Sequence, residues 1–213
     1  MSLLPPSGFN LMEITCDGLP IDEARNRVVH EALAAKLRYL FFLDWDVLVQ
    51  PQTLAQLVEL AENNPEFDVF SGVYCSRKPP VGQPWIWREW ENGIFWDWTL
   101  GDILRDVVGI GMGCCLLRLS LFDRLPEPWF KTVDEFRTFQ GALLKIDQTE
   151  DIYFCQKCEQ HGIRIMVDTR QLCYHMDYEA GIQHGLPTNC LPVRRYLERQ
   201  KGRQEKAHAG NQA

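Results

Sequence analysis

Apolar positions along this chain change period from 3.6 to a continuous run and back again. Over 21–37, Ala24, Val28, Ala32 and Ala35 fall on one face with Val29 and Leu33 beside them, the spacing of an amphipathic helix. Asp22, just after Pro20, is placed to cap it. Residues 39–43, Tyr-Leu-Phe-Phe-Leu, have no polar interruption, as expected of a strand covered on both faces, and stop abruptly at Asp44-Trp45-Asp46. Pro51 opens a second helix, in which Leu54, Leu57, Val58 and Ala61 recur at i, i+3, i+4 and i+7. Residues 67–73 read as another strand. Helix, strand, helix, strand predicts an α/β domain with a substantially parallel sheet flanked by helices.

The pattern then loosens. Pro79, Pro80 and Pro84 break regular structure, and Trp85, Trp87, Trp90, Trp96 and Trp98 crowd into fourteen residues. A long loop with a hairpin around Asn92-Gly93 is expected there; its tryptophans either stack on a sugar or pack on the domain. Residues 107–119 are strand-like but interrupted by Gly109, Gly111 and Gly113, where backbone approaches a ligand or bulges. A short helix over 121–125 and a loop over 126–144 follow. Thr149 then caps a helix with Glu150 and Asp151 in its first turn and Gly162 as terminator. Residues 163–167 and 171–176 are the last strands.

Length and charge narrow this picture. The 213 residues suit one domain, placed over 1–193. No apolar run approaches the ~20 residues of a membrane span, and residues 1–10 do not have the pattern of a secretion signal. The eight irregularly spaced cysteines point to reduced thiols in a cytoplasmic protein. Cys155 and Cys158, on the apolar face of a helix, read as buried thiols rather than half a zinc site. The net charge is −7, but residues 194–213 carry six basic and two acidic side chains, which leaves −11 for the rest. Such a body repels a phosphate backbone, so nucleic acid is disfavoured as a partner. The basic 194–213 tail lacks a sustained apolar face and is expected to be disordered.

Asp44 and Asp46 sit at the carboxyl end of an apolar strand, which in open α/β sheets faces the ligand crevice. Two carboxylates so spaced suit Mg2+ or Mn2+ carrying phosphate oxygens, although a solvated turn explains an isolated pair as well. Glu150-Asp151 at a helix start is explained by the helix dipole alone, or by a general base that the dipole keeps ionised. His175 is either a packed strand histidine or a metal ligand. Arg25-Asn26 in the first turn of a helix, and Arg77-Lys78 after a strand, either meet an anion or are solvated.

Taken in order, these segments resemble metal-dependent glycosyltransferases of the GT-A fold, family-2 type. The resemblance runs through Ile-Asp-Glu-Ala-Arg25-Asn26, Phe-Leu-Asp44-Trp-Asp46-Val and Gly72-Val-Tyr-Cys-Ser-Arg77-Lys78-Pro. It continues through Val108-Gly-Ile-Gly-Met-Gly113, Pro128-Trp-Phe130, Thr149-Glu150-Asp151 and Cys173-Tyr-His175. It implies a single domain with a Rossmann-like, mostly parallel sheet that binds a nucleotide-sugar, UDP-linked by default, and moves the sugar to an acceptor hydroxyl. By that resemblance Asp44 contacts the donor, and Asp46 and His175 hold Mn2+ or Mg2+. Arg25, Asn26 and Arg77 belong to the phosphate side, Asp151 is the base of an inverting transfer, and Glu150 positions the acceptor. The resemblance also implies a base-holding strand ahead of one placed near 10–15, for which residues 1–8 leave almost no room. The sheet edge left bare would invite self-association. Two rival readings are a non-catalytic nucleotide- or glycan-binding module, and a haloacid-dehalogenase-type phosphatase with Asp44 as nucleophile and Ser71, Lys78 and 101–106 as later motifs.

Overall fold

The structure, a computed structural model, describes residues 3–77, 81–139 and 142–210, so Lys78 lies outside the described residues. The first half runs α1 (Ile21–Ala34), β1 (Tyr39–Leu43), β2 (Val47–Leu48), α2 (Thr53–Asn63), β3 (Val69–Val73) and β4 (Ile86–Trp87). There follow β5 (Ile103–Val107), β6 (Gly109–Ile110), β7 (Cys114–Arg118), β8 (Val133–Phe139) and β9 (Ala142–Gln148). The chain closes with α3 (Glu150–Gln160), β10 (Ile165–Leu172), β11 (Tyr174–Asp177), β12 (Ile182–His184) and α4 (Leu191–Gly210).

Five strands form the central sheet in the order β1-β7-β3-β10-β5. Only the β3–β10 pairing is parallel; β1–β7, β7–β3 and β10–β5 are antiparallel, so the sheet is mixed rather than mostly parallel. The helix-strand alternation did orient β1, β3 and β10 alike. The glycine-interrupted segment returns in the opposite sense and inserts β7 between β1 and β3. The carboxyl ends of β1, β3 and β10 therefore still lie along one edge, where the site forms.

Both sheet faces are covered over β3 and β7, whose residues are buried almost throughout. Leu40, Phe42, Val69, Val73, Cys115, Leu117, Ile165 and Val167 face Val28, Val29 and Ala32 of α1 and Phe154, Cys155 and Cys158 of α3. Their strand neighbours Phe70, Cys114, Leu116 and Met166 face Leu54, Leu57, Val58 and Ala61 of α2. Cys155 and Cys158 are fully buried free thiols, and burial pushes both well up from their ordinary value.

Several local expectations change. The first helix is capped by Pro20, and Asp22 instead accepts the Thr132 N–H across the fold. No strand forms over 10–15. Residues 133–139 and 142–148, most of them within the expected 126–144 loop, pair as the β8–β9 hairpin from Val133↔Gln148 to Phe139↔Ala142. No hairpin forms about Asn92-Gly93; a 3-10 turn at Trp90–Asn92 ends in Gly93 with φ +69°, and β4 pairs with β6. The basic 194–213 segment is largely helical within α4, with Arg195 paired to Asp97 and Arg199 bonded to Asp102 at 2.9 Å. Among the described residues, no helix is long and apolar enough to cross a membrane.

The outer edge of β1 is bare. Residues 9–17 run past it without a backbone hydrogen bond to it among the described residues. Ile14 and Cys16 nevertheless pack on the core, and a cavity of about 1000 Å3 separates this segment from β1.

Candidate functional site

Beyond Leu43 the chain turns sharply: the Val47 N–H bonds the Asp44 carbonyl at 3.0 Å, and Asp44, Trp45 and Asp46 occupy the turn. Two backbone ties fix it. The Asp44 N–H donates to Gly113 O at 3.2 Å and the Met176 N–H to Asp46 O at 2.7 Å. β11 pairs with β2 through His175↔Val47, so the last strands lie directly against this turn. That is how His175, 129 residues from Asp46, reaches it: His175 Nε2 is 3.0 Å from Asp46 Oδ2.

Arg25 organises one half of the site. Its guanidinium is 5% exposed, lies over the Phe42 ring, and bonds Asp44 at 3.1 Å and Glu150 at 3.0 Å. Burial works against its charge, yet Asp44 and Glu150, with Asp151 behind them, hold its pKa above the ordinary value. Asp151 is buried beside it. Its Oδ1 accepts the Thr149 hydroxyl and, at 2.8 Å, the Ile152 N–H. Thr149 does occupy the cap position, but its hydroxyl serves Asp151 instead of the helix backbone. Burial, then the neighbouring Glu150 charge, pushes the Asp151 carboxyl up to about 6, the reverse of the lowering that a helix dipole alone predicts.

Asp46 forms the other half. Its Oδ2 meets both His175 Nε2 and Arg77 Nη1, the latter at 2.9 Å. His175 Nδ1 lies 3.1 Å from the carbonyl of Cys75, a contact that requires its proton there. With that proton on Nδ1, the nitrogen that faces Asp46 is Nε2. This is the tautomer a metal-ligating imidazole needs, with its second nitrogen anchored on a backbone carbonyl. Among the described residues, no group of three or more His, Cys, Asp or Glu side chains is arranged to hold a metal. Asp46 and His175 offer two ligands, which fits Mg2+ or Mn2+ only when phosphate oxygens and water complete the shell.

Asn26 has a different neighbourhood. Its Oδ1 accepts the Trp129 and Phe130 N–H groups, each at 3.1 Å, and its Nδ2 donates to Phe130 O and Asp22 O at 2.7 and 2.8 Å. Its amide is saturated by the Pro128-Trp-Phe130 loop. Phe130, stacked at 4.6 Å on Phe154 and edge-on to Phe42, makes that loop a plug beneath Arg25.

Sequence reasoning gave Tyr74 no role. Its ring lies 5.1 Å from that of His175 and lines the cavity with Arg25, Asp44, Asp46 and Arg77. Burial, followed by the charges of Asp44, Asp46 and Asp151, drives its hydroxyl pKa far up, so it stays protonated among three carboxylates. The available signal was the glycine spacing. A Cβ on Gly111 would lie 2.5 Å from Tyr74 Cδ1, and one on Gly113 would strike the other side of the same ring. These glycines form the bed of Tyr74 rather than a ligand approach. Gly109 does the same for Trp90, against which an added Cβ would come to 2.5 Å.

The tryptophan-rich segment packs on the domain. Trp98 is buried, Trp87 meets Trp85 edge-on and Trp90 at a tilt, and Trp90 Nε1 bonds Glu159 of α3 at 2.8 Å. Two described groups that a phosphatase reading would recruit, Ser71 and Asp102, are engaged elsewhere. The Ser71 hydroxyl is buried against Gly72 O and Cys114 O, and Asp102 bonds Arg199 and the Thr99 N–H.

No family model matches the chain, and neither does any curated protein. Eighteen chains of solved structures do match. One, titled the crystal structure of A197 from STIV, is 21% identical with a TM-score of 0.52, over 79% of this chain and 76% of that one. At that identity the likeness concerns the fold.

Proposed function

We propose that this protein is a glycosyltransferase of the GT-A type, moving a sugar from a nucleoside-diphosphate donor to an acceptor hydroxyl. One observation carries the reading. Asp44, Asp46 and His175, with Arg25, Arg77, Glu150 and Asp151, come from five separate stretches of sequence and meet at one end of the sheet. The donor would occupy the cavity of about 1000 Å3 between residues 9–17 and β1. That is room enough for a nucleotide-sugar, since ligand sites run to roughly 300–1,000 Å3.

In this reading Asp46 and His175 hold the divalent ion, which supplies positive charge against the departing diphosphate. Arg77, half exposed, is free to turn from Asp46 to a phosphate. Asp44 faces the donor while Arg25 keeps its carboxylate in place. Asp151 takes the acceptor proton on Oδ2, which has no partner among the described residues, as the acceptor oxygen bonds to the anomeric carbon and the carbon–phosphate-oxygen bond breaks. With a pKa of about 6 it is ionised at neutral pH yet basic enough to accept a proton. Glu150, neutralised by Arg25, orients its neighbour.

Calorimetry of UDP and GDP binding with Mn2+ and with chelator, on the native protein and on Asp46→Asn, tests this. Metal-dependent nucleotide binding that Asp46→Asn abolishes is expected. A folded protein that binds neither nucleotide with metal refutes it. Metal-dependent binding without donor turnover moves the reading to a non-catalytic binding module.

A further inference from the structure

An aromatic pair stands at the mouth of the site. Trp45 is 76% exposed and Tyr178 54% exposed, although large aromatics are usually withdrawn from water. Their rings are stacked, with centroids 5.1 Å apart and planes within 11°. Each sits on a tight turn: Trp45 between the two carboxylates of the 44–47 turn, Tyr178 at the tip of the β11–β12 hairpin, where the Ala180 N–H bonds Asp177 Oδ1 at 3.0 Å. The two turns are joined by the Met176–Asp46 backbone bond and the β2–β11 pairing, so backbone holds the stack in register. Trp45 also lines the cavity.

We propose that the Trp45–Tyr178 stack is the acceptor subsite and takes a neutral pyranose ring on the open face of the indole. This inference rests on the glycosyltransferase reading. Three features select that ligand class. A ring stacked on Trp45 lies beside the carboxylates flanking it in sequence, where transfer would occur. Asp44 and Asp46 flank Trp45 and Asp177 and Glu179 flank Tyr178 in sequence, an excess of acidic groups that suits sugar hydroxyls and opposes an added anion. The domain up to residue 193 carries −11, which opposes a polynucleotide on the same aromatic face. Rigid aromatic stacks lose little conformational entropy on binding, the advantage of a platform set before the ligand arrives.

The test follows the indole N–H resonance of Trp45, assigned by its loss in Trp45→Phe, on titration with methyl glycosides of glucose, galactose, mannose and N-acetylglucosamine, and separately with UMP. At least one glycoside is expected to shift that resonance, with affinity weakened about tenfold or more in Trp45→Ala and Tyr178→Ala. Both aromatics are exposed, so the variants should fold, which circular dichroism verifies. The proposal is overturned if no glycoside moves the resonance in folded protein, if Trp45→Ala binds glycosides unchanged, or if UMP alone moves it, which would make the pair a base platform. Donor binding by calorimetry without glycoside shifts removes the subsite and leaves the transferase reading standing. Glycoside shifts without donor binding keep the platform and remove the transferase reading.

Discussion

Arg25→Met separates a built charge cluster from a chance gathering of acids. Methionine keeps length and the contact with Phe42 but removes the only cation among the described residues bonded to both Asp44 and Glu150. The Asp44 side chain is 24% exposed and can be rehydrated, whereas that of Glu150 is 10% exposed and would be left charged in a dry site. Removing one partner of a buried pair costs about 3–5 kcal/mol, and with Asp44 partly relieved by water we expect the lower end, about 3 kcal/mol. In a chain this long that corresponds to a fall in Tm of roughly 6–12 °C. Urea unfolding at pH 7.5, followed by circular dichroism, measures it. Arg25→Met/Glu150→Gln should recover most of the loss, because the stranded charge and not the missing bonds is its source. A loss below about 1 kcal/mol, or a double variant less stable than Arg25→Met, would refute the reasoning.

Four further expectations follow from the same geometry. Because Asp151 holds its proton more tightly when folded, its contribution to stability is lost as pH rises from its ordinary value of 3.8 through about 6. Asp151→Asn should therefore gain on the native protein over that window by up to about 3 kcal/mol, less any weakened bond to Thr149, and hold the gain above it; equal pH profiles for the two in urea unfolding would contradict this. Transfer activity in the native protein should rise through an apparent pKa near 6 and vanish in Asp151→Asn. Gly111→Ala should cost about 1–3 kcal/mol by overpacking Tyr74, and a double-mutant cycle with Tyr74→Ala should return a coupling of similar size; additive effects would mean that the ring is not what the glycine accommodates. Arg77→Ala should tighten Mn2+ binding in the absence of nucleotide, because Arg77 occupies Asp46 Oδ2. Half-exposed ion pairs contribute about 0.2–1 kcal/mol, so calorimetry should find at most about a fivefold gain, and a weakened metal affinity would overturn this role.

Most helices and core strands were legible because burial leaves a local record: 39–43 is an apolar run, 67–73 is rich in Phe and Val, and α1 and α2 carry stripes at helical spacing. Asp44, Asp46, Glu150, Asp151 and His175, grouped by the family resemblance alone, come together at one end of the sheet. Less legible was everything set by what a segment packs against. The β8–β9 hairpin was read as loop because its sequence lacks the simple alternation of a half-buried strand. α4 was read as a disordered tail, since its ion pairs with Asp97 and Asp102 reach across nearly a hundred residues.

By itself the sequence determined the α/β class, the burial of Cys155 and Cys158 and the residues available for chemistry, because hydrophobic period and side-chain type are local properties. Tertiary structure decided their roles. It inserted β7 antiparallel between β1 and β3, saturated Asn26 in a loop contact, and made glycines the seat of Tyr74. It also turned Asp151 from a dipole-stabilised anion into a buried acid with a pKa of about 6. Each of these depends on which groups lose water and which charges become neighbours, and both are set when distant segments pack together.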